Sequence, residues 1–182
     1  MKNFVYQLPT KFLFGRGAEN EVGREVRALG GTKVLIHYGG GSAVRSGLID
    51  RVKKALDAEN IGYVELGGVQ PNPRDTMVYK GIALARREGV DFVLAVGGGS
   101  SIDSSKAIAH GLQYDGDFWD FFCGKAKPEK TTPLGVVLTM SAAGSESSNS
   151  CVITQESTRT KRGLRSELNR PRFAAMNPEL AM

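Results

Sequence analysis

Three consecutive glycines followed by two serines make up the stretch of this sequence best suited to bind an anion. Residues 97–99 are all glycine, they directly follow the apolar run at residues 92–96, and Ser100 and Ser101 open a segment containing Ala and Ile. This order predicts a β-strand, a tight turn and a helix with Ser100 or Ser101 as its N-cap. Free N–H groups at a helix N-terminus bind phosphate, and glycine lets the backbone approach it closely. The stretch therefore predicts a pyrophosphate-binding site.

This glycine pattern alone does not identify a ligand. Ile102 stands where the dinucleotide-binding fingerprint has its third Gly or Ala, and the sequence contains no Gly-Lys-Ser or Gly-Lys-Thr of a P-loop. A glycine-rich turn that only lets a helix pack on its strand is the alternative interpretation. The elements around the stretch must decide between the two.

Composition and charge limit the possible partners. The chain has 182 residues, of which 41% are hydrophobic and 24% charged, as in an ordinary globular domain. Its net charge of +5 favours anionic ligands, but the basic residues are scattered before residue 159 and are not interleaved with aromatic residues. No apolar run has the length of a signal-peptide core or of a membrane span. We therefore expect no nucleic-acid partner and no membrane partner.

Cysteine and histidine are too sparse to indicate a metal centre. Cys123 and Cys151 have neither metal-site nor redox spacing, which suits a protein of the reducing cytoplasm. His37 and His110 stand far apart in the sequence. We therefore expect each histidine to be a packing or surface residue.

Apolar periodicity predicts strands and helices in alternation. Strands are predicted at residues 33–38, 63–66, 92–96, 134–140 and 173–176, and helices at 18–29, 47–59, 74–88 and after the two serines. Residues 1–14 are predicted as an extended entry with an edge strand at 12–14, and residues 151–154 and 163–165 as a hairpin. The alternation predicts an α/β fold with a doubly wound, mostly parallel sheet, whose ligand site lies beyond the carboxyl ends of the strands.

Three of the predicted loops follow successive strands. They are residues 39–42, 70–73 and 97–101, and a fourth polar loop at 141–148 follows the strand at 134–140. Because parallel strands end at the same edge of a sheet, we expect the three to converge, which favours the phosphate interpretation over simple packing. The aromatic residues at 117–122 are predicted to plug the core or an interface.

The order of these motifs resembles the iron-containing (group III) alcohol dehydrogenases, and within them the butanol-dehydrogenase-like branch. The matching pieces run in order through nearly the whole chain: Asn3-Phe4-Val5, Pro9-Thr10-Lys11, Phe14-Gly15-Arg16-Gly17, Tyr38-Gly39-Gly40-Gly41-Ser42, Pro71-Asn72-Pro73, Val96-Gly97-Gly98-Gly99-Ser100 with Asp103, Gly116-Asp117 with Trp119, and Leu138-Thr139 with Gly144-Ser145-Glu146. The resemblance covers only the N-terminal half of that family's architecture.

The resemblance implies that separate domains bind the coenzyme and the metal. Residues 1–182 would form a Rossmann-like NAD(P)-binding domain of dehydroquinate-synthase-like architecture, in an oxidoreductase that transfers hydride between nicotinamide and a primary alcohol or aldehyde. In such enzymes a C-terminal helical domain holds a divalent metal, Fe or Zn, through one Asp and three His, and the metal polarises the substrate oxygen. Neither histidine here matches a ligand. We therefore expect that domain, the metal site and any catalytic residue to be absent from this chain, which alone would be inactive.

The resemblance also implies the coenzyme contacts. The pyrophosphate would lie on Gly97, Gly98, Gly99 and Ser100, the adenosine along Asn72, the nicotinamide end near Thr139 and Ser145, and a ribose or phosphate near Lys161. Asp103 has two interpretations of equal weight: a carboxylate near the nicotinamide, as in the family, or one that complements the dipole in its helix's first turn. Ala143 stands where relatives often have Thr, and the loss of that hydroxyl predicts weaker coenzyme binding.

The choice of coenzyme can be argued from charge. A site that prefers NAD usually carries an acidic residue after the second strand to bind the ribose 2′-hydroxyl. Residues 34–49 contain no acidic residue, and Gly39, Gly40, Gly41 and Ser42 offer N–H and hydroxyl donors with Arg45 nearby. We therefore expect NADP(H), with NAD(H) as the alternative.

Other functions stay open at this point. The chain could be a stand-alone nucleotide-binding or assembly module, or half of a glycerol- or lactaldehyde-type dehydrogenase, although residues 38–42 favour the butanol branch. A hydrolase is disfavoured, because Ser147 replaces the second Gly of the Gly-x-Ser-x-Gly motif around Ser145. We also expect uncovered apolar surface beyond the strand ends and at residues 118–122, and hence a homo-oligomer.

Overall fold

The computed structural model describes residue 3 and residues 7–180. Its main sheet has six strands in the order β1-β8-β5-β4-β2-β3, and all neighbouring pairs are parallel. These strands are β1 (Lys11–Phe14), β2 (Lys33–Tyr38), β3 (Gly62–Leu66), β4 (Phe92–Gly97), β5 (Leu134–Leu138) and β8 (Phe173–Met176). The remaining two, β6 (Ser150–Gln155) and β7 (Thr160–Arg165), form an antiparallel hairpin. The predicted entry before β1 lies mostly outside the described residues.

Helices cover both faces of the main sheet, so the fold is the predicted doubly wound α/β type. They are α1 (Val22–Ala28), α2 (Ser42–Arg45), α3 (Leu48–Asp57), α4 (Asp75–Arg87), α5 (Gly99–Leu112) and α6 (Trp119–Cys123), with 3₁₀ turns at Ala18–Glu21, Glu167–Asn169 and Pro178–Leu180. Within residues 7–180 no helix combines the length and the apolar character needed to cross a bilayer.

The core has two layers because side chains alternate along each strand. Leu35, Val93 and Val136 pack on the face covered by α4, α5 and α6, whereas Ile36 and Leu94 pack on the face covered by α1 and α3. All five side chains are fully buried. Strands that are buried on both faces have continuous apolar sequences, and these strands could therefore be predicted from the sequence. Each such side chain stabilises the fold by about 1.5–3 kcal/mol.

The strand register brings four strand ends to one level. His37 lies opposite both Leu66 of β3 and Ala95 of β4, and Gly97 lies opposite Leu138 of β5. The loops that follow these strands therefore start side by side along one edge of the sheet. We call this edge, where β5, β4, β2 and β3 end, the carboxyl edge.

The aromatic residues at 118–122 lie in the core. Phe118 is 2% exposed and packs edge-on against Tyr79 of α4, with the ring centroids 4.7 Å apart. Trp119 stacks on Phe122 at 5.2 Å. The expectation that this region leaves apolar surface uncovered is therefore wrong, because Phe118 packs on Tyr79 of α4 and Phe121 packs on His110 of α5. At the ends of the strands, Phe14 and Met140 do expose apolar surface, at 75% and 65%.

Helix α1 approaches α3 too closely for a side chain at Gly23. A Cβ atom added there would lie 1.9 Å from the Ala55 carbonyl oxygen, which belongs to the backbone. Alanine favours a helix over glycine by about 1 kcal/mol, but moving two packed helices apart costs more. We expect Gly23→Ala to lower the free energy of unfolding by about 1–3 kcal/mol, measured by urea denaturation.

The matched control is Gly40→Ala. A Cβ atom at Gly40 meets nothing within 4 Å, and Gly40 is not among the glycines with positive φ. This substitution should change the free energy of unfolding by less than about 0.5 kcal/mol. Equal stability of Gly23→Ala and wild type would contradict the close packing of α1 on α3.

Candidate functional site

Helix α5 begins without a side-chain cap. Its N-cap is Gly98, with φ −93° and ψ −167°, and the Ile102 N–H donates to the Gly98 carbonyl at 3.1 Å to close the first turn. Ser100 and Ser101 lie inside that turn, so the prediction of a serine N-cap is wrong. The helix already begins at Gly99, because a single residue, Gly98, separates it from β4. Among the described residues, none accepts a hydrogen bond from the first N–H groups of α5.

Gly97 makes this short connection possible. Its φ of +150° lies in the region that favours glycine. A Cβ atom there would also come within 2.6 Å of the Ser101 Oγ. The chain can therefore pass from strand to helix this tightly only with glycine at position 97, and the open N-terminus of α5 comes to the middle of the carboxyl edge.

The loop after β2 packs against this helix end. A Cβ atom at Gly39 would lie 3.4 Å from the Ser101 Oγ, and the Gly68 N–H donates to the Gly39 carbonyl at 2.9 Å. Gly41 is the N-cap of α2, and Ser42 is its first residue. Gly40 stands open on the same loop. The predicted residues Gly39, Gly40, Gly41 and Ser42 therefore lie beside the start of α5.

Asn72 and Lys161 are brought together from distant parts of the chain. Asn72 follows β3 with φ 58°, and its Oδ1 accepts a hydrogen bond from the Lys161 Nζ at 2.8 Å. Lys161 belongs to β7. The hairpin is docked here because the Thr154 N–H donates to the Pro73 carbonyl at 2.9 Å and Asp75 accepts from the Glu156 N–H at 3.1 Å.

The loop after β5 occupies the opposite side of the helix end. The Thr139 N–H donates to the Gly97 carbonyl at 3.2 Å. A Cβ atom at Gly99 would lie 4.0 Å from the Ser145 Cβ. The loops after β2 and β5 thus flank the start of α5, and the loop after β3 joins the β2 loop through the Gly68 N–H.

Asp103 ties α5 to its neighbours. It is the fifth residue of the helix, so the expectation that it lies in the first turn and complements the dipole there is wrong. Its carboxylate accepts from the Ser145 Oγ at 2.5 Å and from the Val152 N–H at 3.0 Å. Burial raises the pKa of Asp103, while the Ser145 hydrogen bond and the Lys106 charge oppose that rise.

Lys106 is the polar residue of this region that the sequence interpretation missed. It is 1% exposed, and its Nζ donates to the Ser145 Oγ at 3.1 Å and to the carbonyls of Ser148 and Ser150 at 3.2 and 2.8 Å. Burial lowers its pKa, and the carboxylate of Asp103 opposes that fall. The available signal was that Lys106 and Asp103 are the two charged residues of an otherwise small and apolar helix.

Both histidines are core residues. The His37 Nδ1 donates to the Leu66 carbonyl at 2.7 Å, because a carbonyl can only accept, and its Nε2 therefore accepts from the Ser104 Oγ at 2.8 Å. The His110 Nε2 pairs with the Asn169 Oδ1 at 2.7 Å. Within residues 7–180 no three His, Cys, Asp or Glu side chains lie together as metal ligands. The described residues therefore do not fit an iron or zinc centre.

The fold and the carboxyl edge are typical of α/β proteins that bind phosphorylated ligands beyond the ends of parallel strands. The family model described as iron-containing alcohol dehydrogenase matches residues 9–178, and the chain belongs to this family. The resemblance inferred from the sequence is thereby confirmed.

Three similar proteins illustrate the relationship. The chain is 46% identical over 178 residues to NADH-dependent butanol dehydrogenase A of Clostridium acetobutylicum and 38% identical over 181 residues to the NADPH-dependent aldehyde reductase YqhD of Escherichia coli. Each alignment covers 98% of this chain and 46% of the relative. The crystal structure of Thermotoga maritima NADH-dependent butanol dehydrogenase A superposes with a TM-score of 0.95 at 44% identity, covering 99% of this chain and 45% of that one. The chain thus spans about half the length of these relatives.

The burial of His37 makes stability depend on pH. Burial lowers its pKa to about 4, from an unfolded value of about 6.5. Since the unfolded chain binds the proton first, the stabilisation is complete above pH 6.5 and is lost as the pH falls toward 4. We expect the free energy of unfolding to drop by about 3 kcal/mol over this window from this residue.

Urea denaturation at several pH values between 4 and 7 measures this drop. His37→Gln removes the titrating group, so the variant should lack this part of the pH dependence although it is less stable at pH 7. The same slope in wild type and His37→Gln would contradict a buried, neutral His37.

Proposed function

We propose that residues 1–182 form the NAD(P)-binding domain of an alcohol dehydrogenase or aldehyde reductase. The observation that carries this proposal is the uncapped N-terminus of α5 at Gly98–Ser101, set in the middle of the carboxyl edge. A helix N-terminus with free N–H groups binds a phosphate through those groups and through the macrodipole. A dinucleotide has its negative charge at the pyrophosphate, so this part of the ligand belongs at α5.

The loops on the two sides of α5 would hold the two halves of the coenzyme. Asn72 and Lys161 lie on the β3 side and suit an adenosine ribose or phosphate, since together they offer amide and ammonium donors. Thr139 and Ser145 lie on the β5 side and suit the nicotinamide end. The bound nicotinamide would supply the hydride acceptor or donor, and the chain would supply its orientation.

The substrate class follows from the relatives. Their names cite butanol and aldehydes, so we propose a small primary alcohol or aldehyde as the substrate of the whole protein. The described residues do not fit a metal centre, and this chain is therefore assigned coenzyme binding and no catalytic residue. The exposed apolar side chains of Phe14 and Met140 support association of the chain into a homo-oligomer, and the two free cysteines suit a cytoplasmic protein.

NADP(H) is the proposed coenzyme. The relatives' names divide between NADH and NADPH, so the choice depends on the loop at residues 39–42. The Arg45 guanidinium lies against Gly41 in this loop. The nearby acid, Glu65, is engaged by the Lys53 Nζ at 2.5 Å and by the Tyr38 hydroxyl at 3.3 Å, so it is not free to bind a ribose hydroxyl. These features favour a 2′-phosphate.

A charge placed at Gly40 tests this assignment. Gly40→Asp fits the open space and puts a carboxylate where the 2′-phosphate would lie. We expect it to weaken NADPH binding about tenfold or more relative to NADH, because the carboxylate repels a phosphate and accepts from a hydroxyl. Fluorescence titration of both reduced coenzymes measures the ratio.

The control is Gly40→Asn, which has nearly the same volume and no charge. It should leave the NADPH to NADH ratio within about threefold of wild type. An equal loss for both coenzymes in Gly40→Asp would contradict the position of the 2′-phosphate. No binding of either coenzyme by the wild-type chain would contradict the proposed function itself.

A further inference from the structure

The ammonium of Lys106 has all its protons engaged within the protein. The carbonyls of Ser148 and Ser150 can only accept hydrogen bonds, and the Ser145 hydroxyl donates its hydrogen bond to the Asp103 carboxylate. The Ser145 Oγ must therefore accept from Lys106. The Ser148 Oγ lies 3.4 Å away as a fourth acceptor. The three protons of the Lys106 ammonium therefore all have partners within the protein, and no donor is left for a ligand.

The resulting chain of hydrogen bonds runs from Lys106 through Ser145 to Asp103. It fixes the direction of the Ser145 hydroxyl proton and presents that proton to the Asp103 carboxylate. The second Asp103 oxygen accepts from the Val152 N–H. The Asp103 side chain keeps 17% of its surface exposed, whereas that of Lys106 keeps none, so the lysine supports the carboxylate from within the core.

We infer that Lys106 is a positioning residue for the β5 side of the proposed coenzyme site. This inference rests on the proposed function. The buried ammonium holds the backbone at Ser148 and Ser150 against α5 and sets the Ser145 hydroxyl and the Asp103 carboxylate in place beside Gly99. Lys106 acts through these two residues and does not contact the coenzyme.

The loop at residues 141–150 depends on such ties because it forms no strand of the main sheet. Arg170 donates to the Ser147 carbonyl at 2.6 Å, and the Asn169 Nδ2 donates to the Asn149 carbonyl at 2.8 Å. Neither of these bonds reaches Ser145 or Asp103. Loss of the Lys106 charge would leave buried acceptors without a donor, a costly state that the loop relieves by moving toward water.

The effect should be confined to one half of the coenzyme. Ser145 lies on the β5 side of the α5 start, whereas the loop at 39–42 and Asn72 lie on the β2 and β3 side. A dinucleotide that crosses the start of α5 with its adenosine on the β2 side has its nicotinamide on the Ser145 side. Displacement of Ser145 and Asp103 would therefore weaken NADPH binding and leave the binding of ADP-ribose, which lacks nicotinamide, nearly unchanged.

The test compares the two ligands in Lys106→Met, which keeps the length of the side chain and removes the charge. We expect NADPH affinity to fall about tenfold or more, because the variant loses a hydrogen-bonded charge. ADP-ribose affinity should change less than about threefold. Calorimetric titration gives both affinities, and circular dichroism checks the fold. If Lys106→Met does not fold, Lys106→Gln decides instead, because its uncharged amide offers two donors to the buried Ser148 and Ser150 carbonyls and leaves the Ser145 Oγ without its donor.

Arg170→Met is the matched control, because it removes another cation bound to the same loop. It should change NADPH affinity less than about threefold. An unchanged NADPH affinity in the deciding variant, an equal loss for NADPH and ADP-ribose, or an equal loss in Arg170→Met would each overturn the role of Lys106. A wild-type chain that binds neither ligand overturns the coenzyme proposal, and this result is read before any variant is made.

Discussion

The tight passage from β4 into α5 is the constraint on which the rest of the structure depends. Gly97 adopts a φ of +150°, and only Gly98 separates the strand from the helix. The first N–H groups of α5 are therefore held at the edge of the sheet, with no side chain to cap them. The parallel register then places the ends of β5, β2 and β3 around this point. The backbone geometry alone therefore leaves these N–H groups without a capping side chain at the position proposed for the pyrophosphate.

Helix α5 is also unusual in what it buries. Its inner surface carries Ser104, Lys106 and His110 together with apolar residues, and each of these three makes a hydrogen bond to another element. Buried polar groups are tolerated when they are paired, and their pairing fixes one arrangement of the neighbours. The helix is thereby joined to β2, to the loop after β5 and to the hairpin. Its N-terminus, with these elements, forms a preorganised unit.

The sequence allowed the sheet, the hairpin and the glycine loops to be predicted because these depend on local patterns. Strand β4 is a continuous apolar run, and its glycines come directly after it. The start of α5 was predicted too late, because the two serines are typical N-cap residues. No local pattern marks a connection of one residue between a strand and a helix. The partners of Lys106 lie about 40 residues away in sequence, and the burial of Phe118 requires contacts with α4. Such long-range pairs cannot be read from periodicity.

The central claim is that the open start of α5 receives the phosphates of a nicotinamide coenzyme. Its most direct measurement is a titration of the ¹⁵N-labelled chain with NADP⁺, followed by the amide NMR signals. We expect the largest shifts at the amides of residues 98–101, because hydrogen bonds from these groups to phosphate change their chemical shifts strongly. Signals at residues 98–101 that stay in place while the chain binds NADP⁺ would contradict the claim.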